Sequence, residues 1–312
     1  MYTTITKFKI PSILEDILKD LQKIGATPIL VGGSVRDYFL NIPIKDYDIE
    51  IFGINSLEII QNCLEKFGSV KLVGKSFGVL TLRVNEYDFD FALPRTETKI
   101  GLSHQDFEVI TNASLSFKEA AIRRDFTINA IGYDFFKEEF IDPFDGIEDL
   151  RTKTIKHIND KTFIEDSLRV YRAVAFASRF NFKIEEKTKE LCKQIVLKNE
   201  LKYLPKERVY EEFKKLFLKS SKPSIGFELM REIGILKYFS ELQALINCIQ
   251  EPEYHPEGDV WVHTMMALDE MARILKEENI ENDYKELYLF YSILCHDFGK
   301  PFCTEEINGK IT

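Results

Sequence analysis

The sequence contains no run of 18 uncharged apolar residues, and therefore no segment suited to crossing a bilayer as a helix. Its first residues, Met1-Tyr-Thr-Thr-Ile-Thr-Lys7, lack the basic-then-apolar order of a secretory signal. Cysteine is sparse. Cys63, Cys192, Cys248, Cys295 and Cys303 are scattered, odd in number and form no C-x-x-C pair. This pattern reads as reduced thiols in a cytosolic protein, and a cytoplasmic location is expected. No internal repeat and no low-complexity tract occurs. Positive charge is also short: 42 Lys and Arg stand against 51 Asp and Glu, a net charge of −9. A protein that neutralises phosphate needs Lys and Arg. The shortage is uneven, however. Residues 183–222 hold twelve Lys/Arg against seven Asp/Glu, a balance of +5, while acids gather at 46–58 and 251–286. A local basic surface on an acidic chain still serves RNA, although these lysines taken alone read as solvated helix faces.

The 312 residues suffice for two or three domains, and 45% apolar content with 25 Phe supplies a packed core. Apolar spacing predicts a helix over 12–24 closed by Gly25, a buried strand over 28–31, a helix from Ser34 to Leu40 and a strand from Asp48 to Phe52. Two strand pieces follow within 70–84, split near Gly78, and the alternation of 86–93 predicts a half-buried strand. The weak periodicity of 96–117 suggests a mobile loop. From about Asp160 the pattern turns helical, with helices over 167–180, 186–197, 206–218 and 224–233, and a second helical block from Pro252 to the end. The expected fold class is α+β: a palm of mixed sheet and flanking helices over 1–150, an all-helical neck and body over 151–245, and a further helical segment over 246–312.

Chemistry concentrates in a few short stretches. Leu30-Val-Gly-Gly-Ser-Val-Arg-Asp37 puts a strand into a Gly-Gly turn at a helix start, where the backbone approaches a phosphate closely and free N–H groups await an anion. Arg36 stands in the first turn, within reach of the same phosphates. Nine residues after Asp37 come Asp46 and Asp48, which share one face of a strand. Two such carboxylates repel unless a cation lies between them. Mg²⁺ takes such oxygens together with substrate phosphate oxygens, which fits two-metal nucleotidyl transfer. A lone Gly-Gly or a lone D-x-D is weak; their order and spacing together are not.

These residues resemble the signature of the class II nucleotidyltransferases, which comprise CCA-adding, A-adding and CC-adding enzymes and bacterial poly(A) polymerases. The resemblance implies that Asp46 and Asp48 hold the metals and that Gly32, Gly33 and Arg36 contact a nucleoside triphosphate. Three more stretches follow in the family's order. Arg123-Arg-Asp-Phe-Thr-Ile-Asn-Ala130 is similar to a motif for ribose and triphosphate, which implicates Arg124. Glu165-Asp-Ser-Leu-Arg-Val-Tyr-Arg172 resembles the E-D-x-x-R motif. There Asp166 and Arg169, at i and i+3 of one helix face, imitate a base edge and select CTP and ATP without a template, and Arg172 resembles a phosphate-contacting arginine. Alone, that pair reads as an ordinary salt bridge. Many relatives carry another arginine where this chain has Ala175. Leu204-Pro-Lys-Glu-Arg-Val-Tyr-Glu-Glu-Phe-Lys-Lys-Leu216 resembles the neck helix, with a structural and RNA-orienting role. Tyr87 to Glu97 resembles the palm strand between the first two motifs, so Asp90 is either a third acid at the metals or a surface residue.

The last block differs. His255-Pro-Glu-Gly-Asp-Val-Trp-Val-His263 and Leu294-Cys-His-Asp-Phe-Gly-Lys-Pro301 resemble an HD domain, a metal-dependent phosphohydrolase module, with His263, His296 and Asp297 as ligands of mixed N and O type. Such a module uses a further carboxylate downstream, so this one reads as incomplete, and metal binding there is expected to be weak or absent. The leading functional expectation is CCA addition to the tRNA 3′ end from ATP and CTP with Mg²⁺ and no membrane partner. Poly(A) polymerase and A-only or CC-only transfer share its motifs. An HD-type phosphohydrolase and a non-catalytic RNA-binding protein are the readings from other classes.

Overall fold

A computed structural model describes residues 8–73, 78–99, 107–278, 280, 282–307 and 310–311. The chain forms two compact units: residues 1–152 with 156–165, and residues 153–155 with 166–312.

The first unit opens with α1 (Ser12–Lys23), whose Leu14, Ile17, Leu18 and Leu21 repeat at helical spacing and are fully buried. Then come β1 (Thr27–Val31), α2 (Gly33–Phe39), β2 (Asp46–Phe52), α3 (Leu57–Leu64), β3 (Val70–Val73), β4 (Val79–Val84) and β5 (Tyr87–Ala92). They are followed by β6 (Arg95–Lys99), β7 (Phe107–Thr111), α4 (Phe117–Ala121), β8 (Gly132–Asp134), β9 (Glu139–Ile141) and α5 (Gly146–Arg151). Seven strands make one sheet in the order β3-β4-β5-β2-β1-β8-β9. β2 lies in its middle, antiparallel to β1 and parallel to β5. This mixed sheet with flanking helices bears out the α+β class. β2 begins at Asp46, two residues earlier than its apolar run suggested, because its first acids face open space rather than core.

Residues 96–117 depart from the loop expectation. β6 and β7 pair antiparallel from Arg95↔Thr111 to Lys99↔Phe107, and a capping box between Ser116 and Glu119 starts α4. Backbone pairing makes this hairpin, so a hydrophobic pattern does not announce it. Residues 100–106 of that stretch lie outside the described residues.

α6 (Asp160–Glu165) closes the first unit. In the second, the two-residue strand β10 (Thr154–Ile155) pairs parallel with β11 (Lys183–Ile184). The helices are α7 (Arg169–Phe180), α8 (Glu186–Leu197), α9 (Lys206–Lys219), α10 (Pro223–Ile233), α11 (Ser240–Ala244), α12 (Val260–Glu277), α13 (Asp283–Cys295) and α14 (Lys300–Cys303). Asn181 (φ 53°) and Gly234 (φ 86°) end α7 and α10 in the left-handed conformation their residue types tolerate. Phe213, Phe217, Phe227 and Phe290 interlock, with the Phe217 and Phe290 rings stacked at 5.0 Å. The last residues are not helical as expected: β12 (Glu306–Ile307) and β13 (Lys310–Ile311) pair antiparallel.

Candidate active site

One face of β2 organises the first unit's cleft. Asp46, Asp48 and Glu50 share one face of that strand, while Tyr47, Ile49 and Ile51 fill the core on the other. Register then fixes the neighbours: Asp48 lies opposite Val31 on β1 and opposite Asp90 on β5. Asp90 therefore lines the same cleft, of about 200 Å³, with Asp48, Arg95, Arg123 and Arg124; the Thr81 hydroxyl donates to its Oδ1 at 2.6 Å.

Gly32 follows Val31 directly. Its φ of 71° favours glycine, and a Cβ there would come 2.8 Å from Asp48 Oδ2 and 3.3 Å from an Arg124 nitrogen. Asp48 is open to solvent on the cleft side and enclosed by protein on the other. Desolvation pushes its carboxyl up, Arg124 pulls it down, and Asp90 and Asp46 push it up again.

The arginines form an alternating chain with acids. Arg95 donates to Glu97 at 2.8 Å, Arg123 donates to Glu97 at 3.3 Å and to Glu50 at 3.0 Å, and Arg124 stands 3.6 Å from the other Glu50 oxygen. Glu50 is 1% exposed. Burial, then Arg123, lower the Arg95 pKa. Arg36 lies beneath the glycine turn, 5% exposed, donating to Asn129 Oδ1 and Asp37 Oδ1, each at 2.7 Å. Asn129 in turn donates to Asp125 at 2.9 Å. Sequence reading missed Glu50, Glu97, Arg95 and Asn129. Glu50 had a signal, since it continues the period-two acid series from Asp46 and Asp48.

In the second unit, Asp166 is not on a helix face as expected. It occupies the break between α6 and α7, accepts from the Leu168 N–H at 3.1 Å, and pairs with Arg208 of α9 at 3.5 Å. Arg169 begins α7 one turn on. Arg172 lies 3.8 Å from buried Glu212 and over the Phe176 ring. A roomier cavity of about 530 Å³, lined by Tyr171, Tyr210, Phe213, Tyr238 and Tyr291, also belongs to this unit. Its walls are mostly aromatic and aliphatic with a single carboxylate, Glu241, and no cluster of acids, so size alone does not make it the reactive site.

Among the described residues, sets of three side chains with ligand atoms within 4.8 Å of one another occur only in the C-terminal block: His263, His296 and Asp297, and His255, Glu257 and His263. Glu257 accepts from His255 at 3.0 Å and from His263 at 2.6 Å. These bonds, after the one from its own backbone N–H, hold its pKa down at about 2. No described helix is long and apolar enough to cross a membrane.

Residues 29–156 match the family model of the poly A polymerase head domain, and 181–246 match that of the probable RNA and SrmB-binding site of polymerase A. The chain is 38% identical over 283 residues to the multifunctional CCA protein of Mannheimia succiniciproducens, covering 89% of this chain and 64% of that one. The corresponding protein of Haemophilus ducreyi is 35% identical, with 89% and 65% covered. The chain thus spans about two thirds of the length of these curated relatives. Among solved structures, the Thermotoga maritima CCA-adding enzyme complexed with tRNA superposes with a TM-score of 0.67 at 25% identity, over 92% of this chain and 63% of that one. A tRNA-processing enzyme with CTP gives 0.64 at 28%, over 92% and 72%. Residues 29–156 thus belong to the poly A polymerase head-domain family, and the chain as a whole is similar to the multifunctional CCA proteins.

Proposed function

We propose that the palm cleft transfers nucleotides from CTP and ATP to the 3′ end of tRNA, building CCA, with Mg²⁺ as the cation. The observation that carries this reading is the register that sets Asp48 beside Asp90 and against the Gly32 turn, with Arg124 at the turn's edge. The fit to a hard divalent cation rests on the donor set: Asp46 and Asp48 on one strand face with Asp90 opposite Asp48, oxygen ligands only. Asp46 and Asp48 would hold the ion, with Asp90 alongside. Such a cation neutralises charge on the phosphates and favours the ionised RNA 3′-hydroxyl. The 3′-oxygen, its proton released to solvent, attacks the α-phosphate in line; one O–P bond forms as the bond to pyrophosphate breaks.

The chain's own groups hold the reactants. Gly32 keeps the turn low enough for a phosphate to approach, with Gly33 next in the turn. Arg124 points a guanidinium into the cleft, and Arg36 braces Asn129 under the turn rather than lying open to solvent. Asp166 supplies acceptors and Arg169 donors for a base edge, with Arg208 steadying Asp166. Arg172, one turn past Arg169 on α7, serves as a phosphate contact. The division into a head (1–150), a neck and body (151–245) and an HD-like segment (246–312) follows these roles. Scattered thiols, two of them buried, suit a cytoplasmic protein.

One observation favours a second activity: His263, His296 and Asp297 converge as metal ligands do. Phosphoester hydrolysis there is tested with bis(p-nitrophenyl) phosphate and Mn²⁺ or Ni²⁺.

The decisive test of the main reading is extension of tRNA lacking its CCA, with CTP, ATP or both, read at nucleotide resolution. Three residues that stop at CCA, and none from Asp46→Ala or Asp48→Ala, support it. A long A ladder means poly(A) polymerase. One A or two C means a partial enzyme, and no extension overturns transferase activity.

A further inference from the structure

The acid-arginine chain along the cleft wall does more than fill space. Three guanidinia and two carboxylates alternate as Arg95, Glu97, Arg123, Glu50 and Arg124. Its members are unequally held. Arg123 has a 3.0 Å bond to Glu50 and a 3.3 Å bond to Glu97. Arg124 has only the 3.6 Å approach to Glu50 and a 3.4 Å bond to the Asn129 carbonyl; the Nε of each of the two arginines makes no hydrogen bond, so the difference lies in their terminal nitrogens. Correspondingly, the Glu50 oxygen that faces Arg124 lacks a hydrogen-bond partner although it is buried. A buried carboxylate that leaves one oxygen unsatisfied costs stability. A network built only for stability would close that last bond.

From this geometry we infer that Glu50 is a positioning residue: it fixes Arg123 and holds Arg124 aimed into the cleft, poised for the triphosphate of the incoming nucleotide. The inference rests on the transferase reading above and names a residue that acts in it without touching substrate. The mechanism is steric and electrostatic. Glu50 stands two residues past Asp48 on the same strand face, so the rigid sheet that places the metal-binding acids also places the arginines. Nucleotide charge and cation are thereby set in one frame.

Charge and position predict opposite signs, which makes the idea testable. Glu50→Gln keeps the size of the side chain and removes one negative charge from the wall. Charge alone would tighten anion binding. But the amide must turn an NH₂ donor toward one of the two guanidinia, and position is lost.

Calorimetric binding of inorganic tripolyphosphate to the full chain, with tRNA extension alongside, separates the outcomes. Positioning predicts that Glu50→Gln weakens tripolyphosphate binding about tenfold and raises KM for CTP and ATP alike, with KM for tRNA unchanged. In an Arg124→Ala background the same substitution should have little further effect, because the two act as a unit. Tighter or unchanged binding in Glu50→Gln, or losses that simply add in the double variant, overturns the inference. If Glu50→Gln does not fold, Glu97→Gln, at a partly exposed site, loosens Arg123 from its other side and should raise both nucleotide KM values about threefold; unchanged values overturn the inference. A parent protein that neither binds tripolyphosphate nor extends tRNA overturns the transferase reading itself. A parent that does both, with a Glu50→Gln variant that binds equally well, overturns only the role of Glu50.

Discussion

The palm cleft and the C-terminal block both collect acids, and they differ in the company those acids keep. In the palm, Asp48 and Asp90 face guanidinia, and the donors are all oxygen. In the C-terminal block, Glu257 and Asp297 stand among three imidazoles, with Lys300 2.9 Å from Asp297. Guanidinium with carboxylate suits a polyanion brought in with a hard cation. Imidazole with carboxylate suits a borderline metal held by the protein alone. Acid count does not distinguish the two regions; the cationic partner does.

The sharpest way to break this contrast is Asp48→Asn. CCA addition should fall by about 10³-fold or more, the scale of losing a group that stabilises transition-state charge. The pKa of Asp48 is raised on folding, so its ionised form costs stability; that cost is absent below the ordinary carboxylate range, develops as pH rises from there through the folded pKa, and is complete above it. The inactive variant should therefore melt higher than the parent at pH 8 and equally at acid pH. A lower melting temperature at pH 8 would show that the carboxylate is structurally required.

Next in size is Gly32→Ala. The left-handed φ costs about 1–2 kcal/mol, and the new methyl meets Asp48, so activity should fall further than stability. Parallel measurement of melting and of tRNA extension checks this; a loss confined to melting would detach the turn from the acid.

His263→Ala sharpens the contrast from the other side. It should weaken binding of Zn²⁺ or Ni²⁺ at least about tenfold, leaving CCA addition unchanged. Calorimetry and gel extension read the two effects, and a parallel loss of extension would mean the regions are not chemically separate.

The smallest effect is at Glu257. Its pKa is lowered to about 2, so its contribution to stability is full above the ordinary range near 4.5 and lost as pH falls through about 2. Glu257→Gln should melt below the parent at pH 6, with the gap closing in acid. A gap independent of pH would locate its role in packing.

Much of the palm was legible because its elements bury apolar faces. β1, β4, β5 and α1 carry the period their environment demands. The hairpin of β6 and β7 was not, since its pairing needs no apolar stripe. Asp166 was misplaced because helical periodicity runs through a break that its own carboxylate stabilises by capping Leu168. The glycine turn and the acid pair were readable as a spacing. Asp90 joined them only through strand register, which links residues more than forty positions apart. Glu257 sits within a quoted motif, yet its bridge between His255 and His263 depends on how the turn before α12 folds back.

The placement of β2 has a consequence for quality control. Strands pair with it on both sides, and its two faces are chemically opposite. A one-residue slip would drive Asp46, Asp48 and Glu50 into the core and turn Tyr47, Ile49 and Ile51 out to water. No half-correct palm exists between those registers. Heat-stressed or aged samples should therefore divide into fully competent and wholly dead molecules, and a falling turnover number in such a preparation counts survivors and does not describe a slower enzyme.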